Sequence, residues 1–210
     1  MTSNKGKLNN VQALLPQQRE ALGAAVDALS QHDRAKVLMA CGSGKTRIGP
    51  AIAIHRDVRT AIVFLPSLAL VRQTLPEWRS AINDLSFLCV CSDETVAPEQ
   101  DEIVITESDL GSPVTTQSAA VRDFLLRKSD GMRVIFSTYQ SSAVVAAAIP
   151  EGFVFDLGIF DEAHKTAGKE GIFSAPLDDG HIPIAKRVFF TATPKHLSYR
   201  KRDKDGEAKT

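Results

Sequence analysis

KVLMACGSGKTRIGP, residues 36–50, decides the fold. The apolar run KVLMA (36–40) reads as a strand, and the apolar spacing over 44–56 reads as a helix. Between them lies the glycine-rich turn Ala40-Cys41-Gly42-Ser43-Gly44, followed by Lys45 and Thr46. A strand that enters such a turn and leaves it as a helix is the context of a phosphate-binding loop. Gly42 and Gly44 let the backbone curl so that its N–H groups converge on anionic oxygens. Lys45 brings a point charge for the β- and γ-phosphates of ATP, and the Thr46 hydroxyl suits Mg²⁺. The helix start adds its positive end to the same anion. Met39 stands where the general pattern G-x-x-x-x-G-K-[ST] has glycine.

A second stretch, FDLGIFDEAH (155–164), completes that reading. FDLGIF is a strand candidate that runs directly into Asp161 and Glu162, with His164 two positions on. Ionised carboxylates at the end of a buried strand are costly without a partner, and a divalent cation is such a partner. Asp161 is therefore the expected Mg²⁺ ligand with Thr46, and Glu162 the expected base that polarises the attacking water. His164 is the candidate reporter of the γ-phosphate state.

Around these two stretches, short apolar runs alternate with amphipathic ones. Further strand candidates are 60–65, 85–91, 102–106, 133–138 and 187–192; helix candidates are 67–80, 117–127, 138–148 and a helix from Pro16 to about residues 30–32. Strands that are apolar throughout, separated by helices, predict a mainly parallel sheet covered on both faces, a three-layer α/β domain. The 210 residues suffice for one such domain, and 43% apolar with 24% charged residues is ordinary globular composition. Basic and acidic residues number 25 each, which disfavours a strongly basic sequence-reading protein but not one that grips a backbone locally. Cys89 and Cys91 alternate on one run and read as buried reduced thiols, which suit a cytoplasmic compartment. No run approaches the length that crosses a bilayer. His32, His55, His181 and His196 have no ligand spacing and read as surface or loop residues, and Trp78 reads as core. Residues 1–12 form a polar leader, 13–196 the domain, and 197–210 a charged linker or tail.

The series of segments resembles the superfamily 2 helicases of the DEAD/DEAH-box type, in particular the branch of the type III restriction subunits. The resemblance implies the first RecA-like, ATP-binding domain of a two-domain motor. Ala40, Gly42, Gly44, Lys45 and Thr46 are close to that family's A-x-x-G-x-G-K-T, with one residue fewer after the alanine. LLPQQREAL (14–22) is similar to a segment that would make Gln18 the adenine reader, although Leu15 and Gln17 replace an arginine and an aromatic residue. By its own pattern Gln18 is equally an exposed helix residue. FLPSLALVRQT (64–74) resembles motif Ia, which implicates Pro66, Ser67, Leu70 and Gln73 in nucleic-acid contact; locally it is also a helix cap before an apolar helix. FSTYQS (136–141) resembles motif Ib, which would bring Ser137, Thr138 and Tyr139 to the strand; locally it is a strand-to-helix turn. FDEAHKTAG (160–168) is similar to the family's D-E-A-H-R-T-A-G. TATP (191–194) matches motif III, where Thr191 and Thr193 would couple hydrolysis to movement.

Together these readings predict an ATP- and Mg²⁺-dependent nucleic-acid motor domain, a DNA helicase or translocase, with DNA favoured over RNA and a second RecA-like domain elsewhere in the full protein. Alone, the chain is expected to hydrolyse ATP weakly. The alternative is a nucleotide- or DNA-binding module without productive hydrolysis. A P-loop kinase would explain the glycine loop and the acids but not PSLALVRQT or TATP.

Overall fold

The computed structural model describes residues 14–40, 42–91, 114–162 and 181–191. Seven strands among them form one sheet: β1 (Arg34–Leu38), β2 (Thr60–Leu65), β3 (Leu85–Val90), β4 (Val114–Thr115), β5 (Met132–Thr138), β6 (Phe155–Phe160) and β7 (Ile184–Thr191). Their order is β1-β7-β6-β2-β5-β3-β4 and every pairing is parallel. The chain is thus a RecA-like α/β domain, as its alternating pattern predicts. β2 is buried at every position, because a strand covered on both faces has no solvent side to give to polar residues.

Five α-helices cover the sheet among the described residues. α1 (Pro16–Gln31), α2 (Ile48–His55) and α3 (Leu68–Ala81) pack on one face, where Leu29, Ile48, Ile52, Val71 and Trp78 meet Val63 and Phe136. α4 (Ser118–Leu126) and α5 (Ser142–Ala148) cover the other, with Val121, Phe124 and Val145 against Ile62, Ile135 and Phe160. α1 opens with a proline, whose missing N–H costs nothing in a first turn. Its last turn closes with the His32 amide on Ala28 O, 2.8 Å away. Pro76 sits inside α3, so the carbonyl of Arg72 has no amide donor one turn ahead.

Several expected boundaries move for physical reasons. The helix expected over 44–56 begins as a 3₁₀ turn, Lys45–Arg47, because Gly44 ahead of it is left-handed. The helix expected over 138–148 likewise starts with a 3₁₀ turn, Tyr139–Ser141. β7 begins at Ile184, before the expected residue 187, because its pairing with β6 starts at Phe155↔Ile184. The strand expected at 102–106, the leader and the tail lie outside the described residues. Trp78 is core, edge-on to Phe136 with ring centroids 5.8 Å apart. His32, His55 and His181 are exposed. Cys89 and Cys91 are buried on the face shared with α3. Burial pushes the Cys89 thiol up to about 12, with Cys91 beside it adding to the shift. Among the described residues no helix is long and apolar enough to cross a membrane.

Register aligns the carboxyl ends of five adjacent strands. Leu38 pairs with Thr191, Phe160 with Phe189, Phe64 with Phe160, and Leu65 with Thr138. One rim of the sheet therefore collects the ends of β1, β7, β6, β2 and β5. In open parallel sheets that rim is where ligands sit.

Candidate active site

Both glycines of the loop after β1 are left-handed, Gly42 at φ 74° and Gly44 at φ 77°. A Cβ on Gly44 would also lie 2.3 Å from Gln18 Nε2, so that position excludes a side chain on two grounds. Gln18 is what comes so close. Its Oε1 accepts from the Leu15 N–H at 2.9 Å, and its Nε2 donates to Ser43 O at 2.9 Å and Gly44 O at 3.4 Å. It is only 2% exposed, which overturns the reading of Gln18 as an exposed helix residue. Both ends of its amide are engaged with backbone, so the start of α1 and the phosphate loop are tied into one unit. The Ser43 hydroxyl donates to Ala40 O at 2.6 Å and tightens the same turn. Cys41 lies outside the described residues.

On the opposite side of the loop, Lys45 Nζ meets Glu162 Oε1 at 3.0 Å. The two side chains are 10% and 16% exposed, so each charge is largely withdrawn from water and compensated by the other. Residues 117 apart in sequence are brought together because β1 and β6 end at the same rim, with only β7 between them. Glu162 is held at φ 51°, a left-handed conformation that a non-glycine residue rarely adopts. The turn that imposes it is anchored at three points. The Asp161 amide donates to Phe64 O at 3.0 Å, the Glu162 amide donates to Asp161 Oδ1 at 3.0 Å, and the Tyr139 hydroxyl donates to Asp161 O at 2.9 Å. Backbone strain of this kind concentrates where the surrounding structure overdetermines it, commonly at functional sites.

Lys45, Thr46 and Asp161 line one small cavity beneath the loop, together with Thr74 of α3. Thr191 ends β7 beside them, and its carbonyl accepts from the Met39 amide at 3.2 Å. The loop is therefore joined directly to the strand end expected to couple hydrolysis to movement. His164 and Thr193 lie outside the described residues.

The positions expected to touch nucleic acid divide into two groups. Pro66, Ser67 and Leu70 are half-buried and Gln73 is exposed, all near the rim at the start of α3. Ser67 Oγ caps that helix by accepting from the Leu70 amide at 3.4 Å. Ser137, Thr138 and Tyr139, in contrast, are buried. Ser137 Oγ donates to Thr138 O at 2.9 Å, and Thr138 Oγ1 donates to Ser141 Oγ at 3.0 Å. These three side chains are turned inward and bonded within the fold. Tyr139 instead braces the backbone of Asp161, in a role that sequence reasoning missed. Burial first, and then the neighbouring carboxylates of Asp161 and Glu162, push its phenol well above the ordinary range, so it stays a neutral donor.

Residues 12–196 match the family described as type III restriction enzyme, res subunit. A probable helicase of African swine fever virus (isolate Tick/Malawi/Lil 20-1/1983) is 31% identical over 193 residues, covering 89% of this chain and 20% of that protein. The chain thus spans about a fifth of the length of the curated relatives it matches. The ATP-dependent type ISP restriction-modification enzyme LlaBIII bound to DNA superposes with a TM-score of 0.72 at 34% identity, covering 86% of this chain and 12% of that one. A nuclease-deletion mutant of the type ISP enzyme LlaGI, in complex with a DNA substrate mimic, gives a TM-score of 0.67 at 32% identity, covering 86% and 17%. The chain is therefore a helicase-family ATPase domain and belongs to the family of type III restriction enzyme res subunits.

Proposed function

We propose that this domain binds Mg–ATP and hydrolyses it to ADP and phosphate, as the first RecA-like domain of a DNA helicase or translocase. The observation that carries the reading is the Lys45–Glu162 contact of 3.0 Å, beside Thr46 and Asp161 at one rim. A cation for phosphate, a carboxylate for water and a hydroxyl–carboxylate pair for a metal are what phosphoanhydride hydrolysis requires.

The residues fit Mg–ATP on their own chemistry. The left-handed glycines leave the loop free of side chains that would obstruct a phosphate, and the Thr46–Asp161 pair is the all-oxygen donor set that Mg²⁺ prefers. Mg²⁺ supplies charge neutralisation on the phosphate oxygens when bound. Lys45 Nζ holds the β- and γ-phosphates, giving up Glu162. Released from the lysine, Glu162 Oε1 orients the attacking water and takes its proton. Gln18 keeps the loop in shape, and reading adenine would require its amide to exchange the Ser43 and Gly44 carbonyls for the base. Pro66, Ser67, Leu70 and Gln73 face a nucleic-acid backbone, and Thr191 passes the state of the loop to the chain beyond β7. DNA is the favoured strand because the LlaBIII and LlaGI structures hold DNA or its mimic.

Steady-state ATP hydrolysis by the chain, with and without single- and double-stranded DNA, tests this reading beside Glu162→Gln. DNA-stimulated turnover that the variant lacks is the expected result. Turnover unchanged in Glu162→Gln would refute the assignment of the base. Mg²⁺-dependent ATP binding without turnover would favour a nucleotide-binding module that awaits a second RecA-like domain.

A further inference from the structure

α3 buries an apolar stripe, Leu68, Val71, Leu75 and Trp78, and one hydroxyl stands within it. Thr74 is 3% exposed, and its Oγ1 has no hydrogen-bond partner among the described residues. A helix threonine usually satisfies itself on a carbonyl one turn back. A hydroxyl buried without any partner is costly, so such a position calls for a partner beyond the described protein groups. Thr74 faces the cavity beneath the phosphate loop, about 20 Å³ in volume, whose other polar walls are Lys45, Thr46 and Asp161. One water needs about 10–15 Å³ and two to four polar partners; the cavity has the room, and Thr74, Lys45, Thr46 and Asp161 are the residues of its lining that could partner it. Trp78, Leu65, Ile159 and Phe190 form the apolar walls of this partly open cavity.

We infer that this cavity binds a single buried water bridging Thr74 Oγ1 to the Thr46–Asp161 pair, and that Thr74 is thereby a positioning residue for the divalent metal. The inference rests on the proposed reading of Thr46 and Asp161 as metal ligands. Chemically, the water accepts from or donates to the hydroxyl and donates to the carboxylate. It fixes the Asp161 carboxylate from behind, as groups around metal ligands commonly do. It also places a hydroxyl of α3, the helix that starts at the expected nucleic-acid contacts Pro66 and Ser67, one water away from the metal ligands.

The test uses the whole chain, Thr74→Val and Thr74→Ser. Valine keeps the shape and removes the hydroxyl; serine keeps the hydroxyl. Binding of a fluorescent ATP analogue is titrated with Mg²⁺, and each protein is melted without nucleotide. Thr74→Val is expected to raise the Mg²⁺ midpoint by about tenfold, the scale of losses around metal ligands. Its affinity for metal-free nucleotide stays within about twofold, since only the metal ligands lose support. Thr74→Ser keeps the wild-type midpoint, and Thr74→Val melts below wild type because a bridged hydroxyl is lost. A valine variant that melts at or above wild type overturns the water, since removing an unpartnered hydroxyl relieves a cost. An unchanged Mg²⁺ midpoint in Thr74→Val overturns the positioning role while leaving the ATP reading intact. A wild-type chain that binds no nucleotide in Mg²⁺ overturns the ATP reading and the metal role with it, and the melting comparison still decides the water.

Discussion

Two stretches of the same rim solve opposite problems. Around the phosphate loop, side chains from distant parts of the sequence reach across to one another: Gln18 to Ser43 and Gly44, Lys45 to Glu162. Four strands along from β1, at the end of β5, polar side chains bond within their own turn, Ser137 to Thr138 and Thr138 to Ser141. The first region holds charge and backbone curvature in place for a ligand, and its contacts are ones a ligand can take over. The second closes a strand-to-helix turn with Ser137, Thr138 and Tyr139 inward and Gln140 exposed. Tyr139 links the two, because its hydroxyl holds the carbonyl of Asp161. A motif that is polar in sequence can therefore hold its own turn and brace a neighbouring strand end.

The largest effect should come from the first region. Lys45→Ala is expected to weaken Mg–ATP binding by about a hundredfold, the upper end for a hydrogen bond to a charged group, and to leave Glu162 without its counterion. Equilibrium binding of a fluorescent nucleotide reads this, and wild-type affinity in the variant would end the distinction between the two regions. Gln18→Ala should cost about tenfold in affinity for ATP and for GTP alike, because the loop loses bonds worth about 1 kcal/mol each. A loss confined to ATP would instead assign the amide to the base.

Tyr139→Phe probes the link. It should lower stability by about 1 kcal/mol in urea unfolding, since one part-buried carbonyl loses this donor. DNA affinity, measured by anisotropy, should not change, because the ring is buried. A selective loss of DNA binding would return Tyr139 to the strand. The smallest effect concerns Cys89, in the core behind β5. Its thiol holds its proton up to about 12 in the folded chain, against an ordinary 9.0. The folded state therefore binds more protons in that window, so this stabilisation is complete below pH 9 and is lost as pH rises from 9 towards 12. Alkaline loss of stability should be shallower in Cys89→Ala, and iodoacetamide at pH 8 should label Cys89 only after unfolding.

Much of the fold was legible because strands such as Thr60–Leu65 and Phe155–Phe160 are apolar on both faces, which a helix on a surface cannot be. The two residues of β4 carry no period at all and gave no signal. In the candidate site, the meeting of the glycine loop, Lys45 and the acids at one rim was readable from residue types and spacing that phosphate chemistry would restrict. Three things were not. The burial of Gln18 depends on how close α1 passes to Gly44. The inward turn of Ser137–Tyr139 depends on α5 and β6 packing over them. Thr74 is one polar residue in an otherwise apolar helical stripe, and that interruption was the available sign.

Pro76 gives α3 a mechanical character. One turn of that helix, from Arg72 to Pro76, lacks the bond that would stiffen it. Ser67 and Gln73 lie on one side of the weak turn, or at its edge, and Trp78 is clamped in the core on the other. A pull on the first residues of α3 would spend itself as bending there before it dislodged the tryptophan. The helix is thus a compliant spring with an anchored end, and Thr74 sits in its flexing coil.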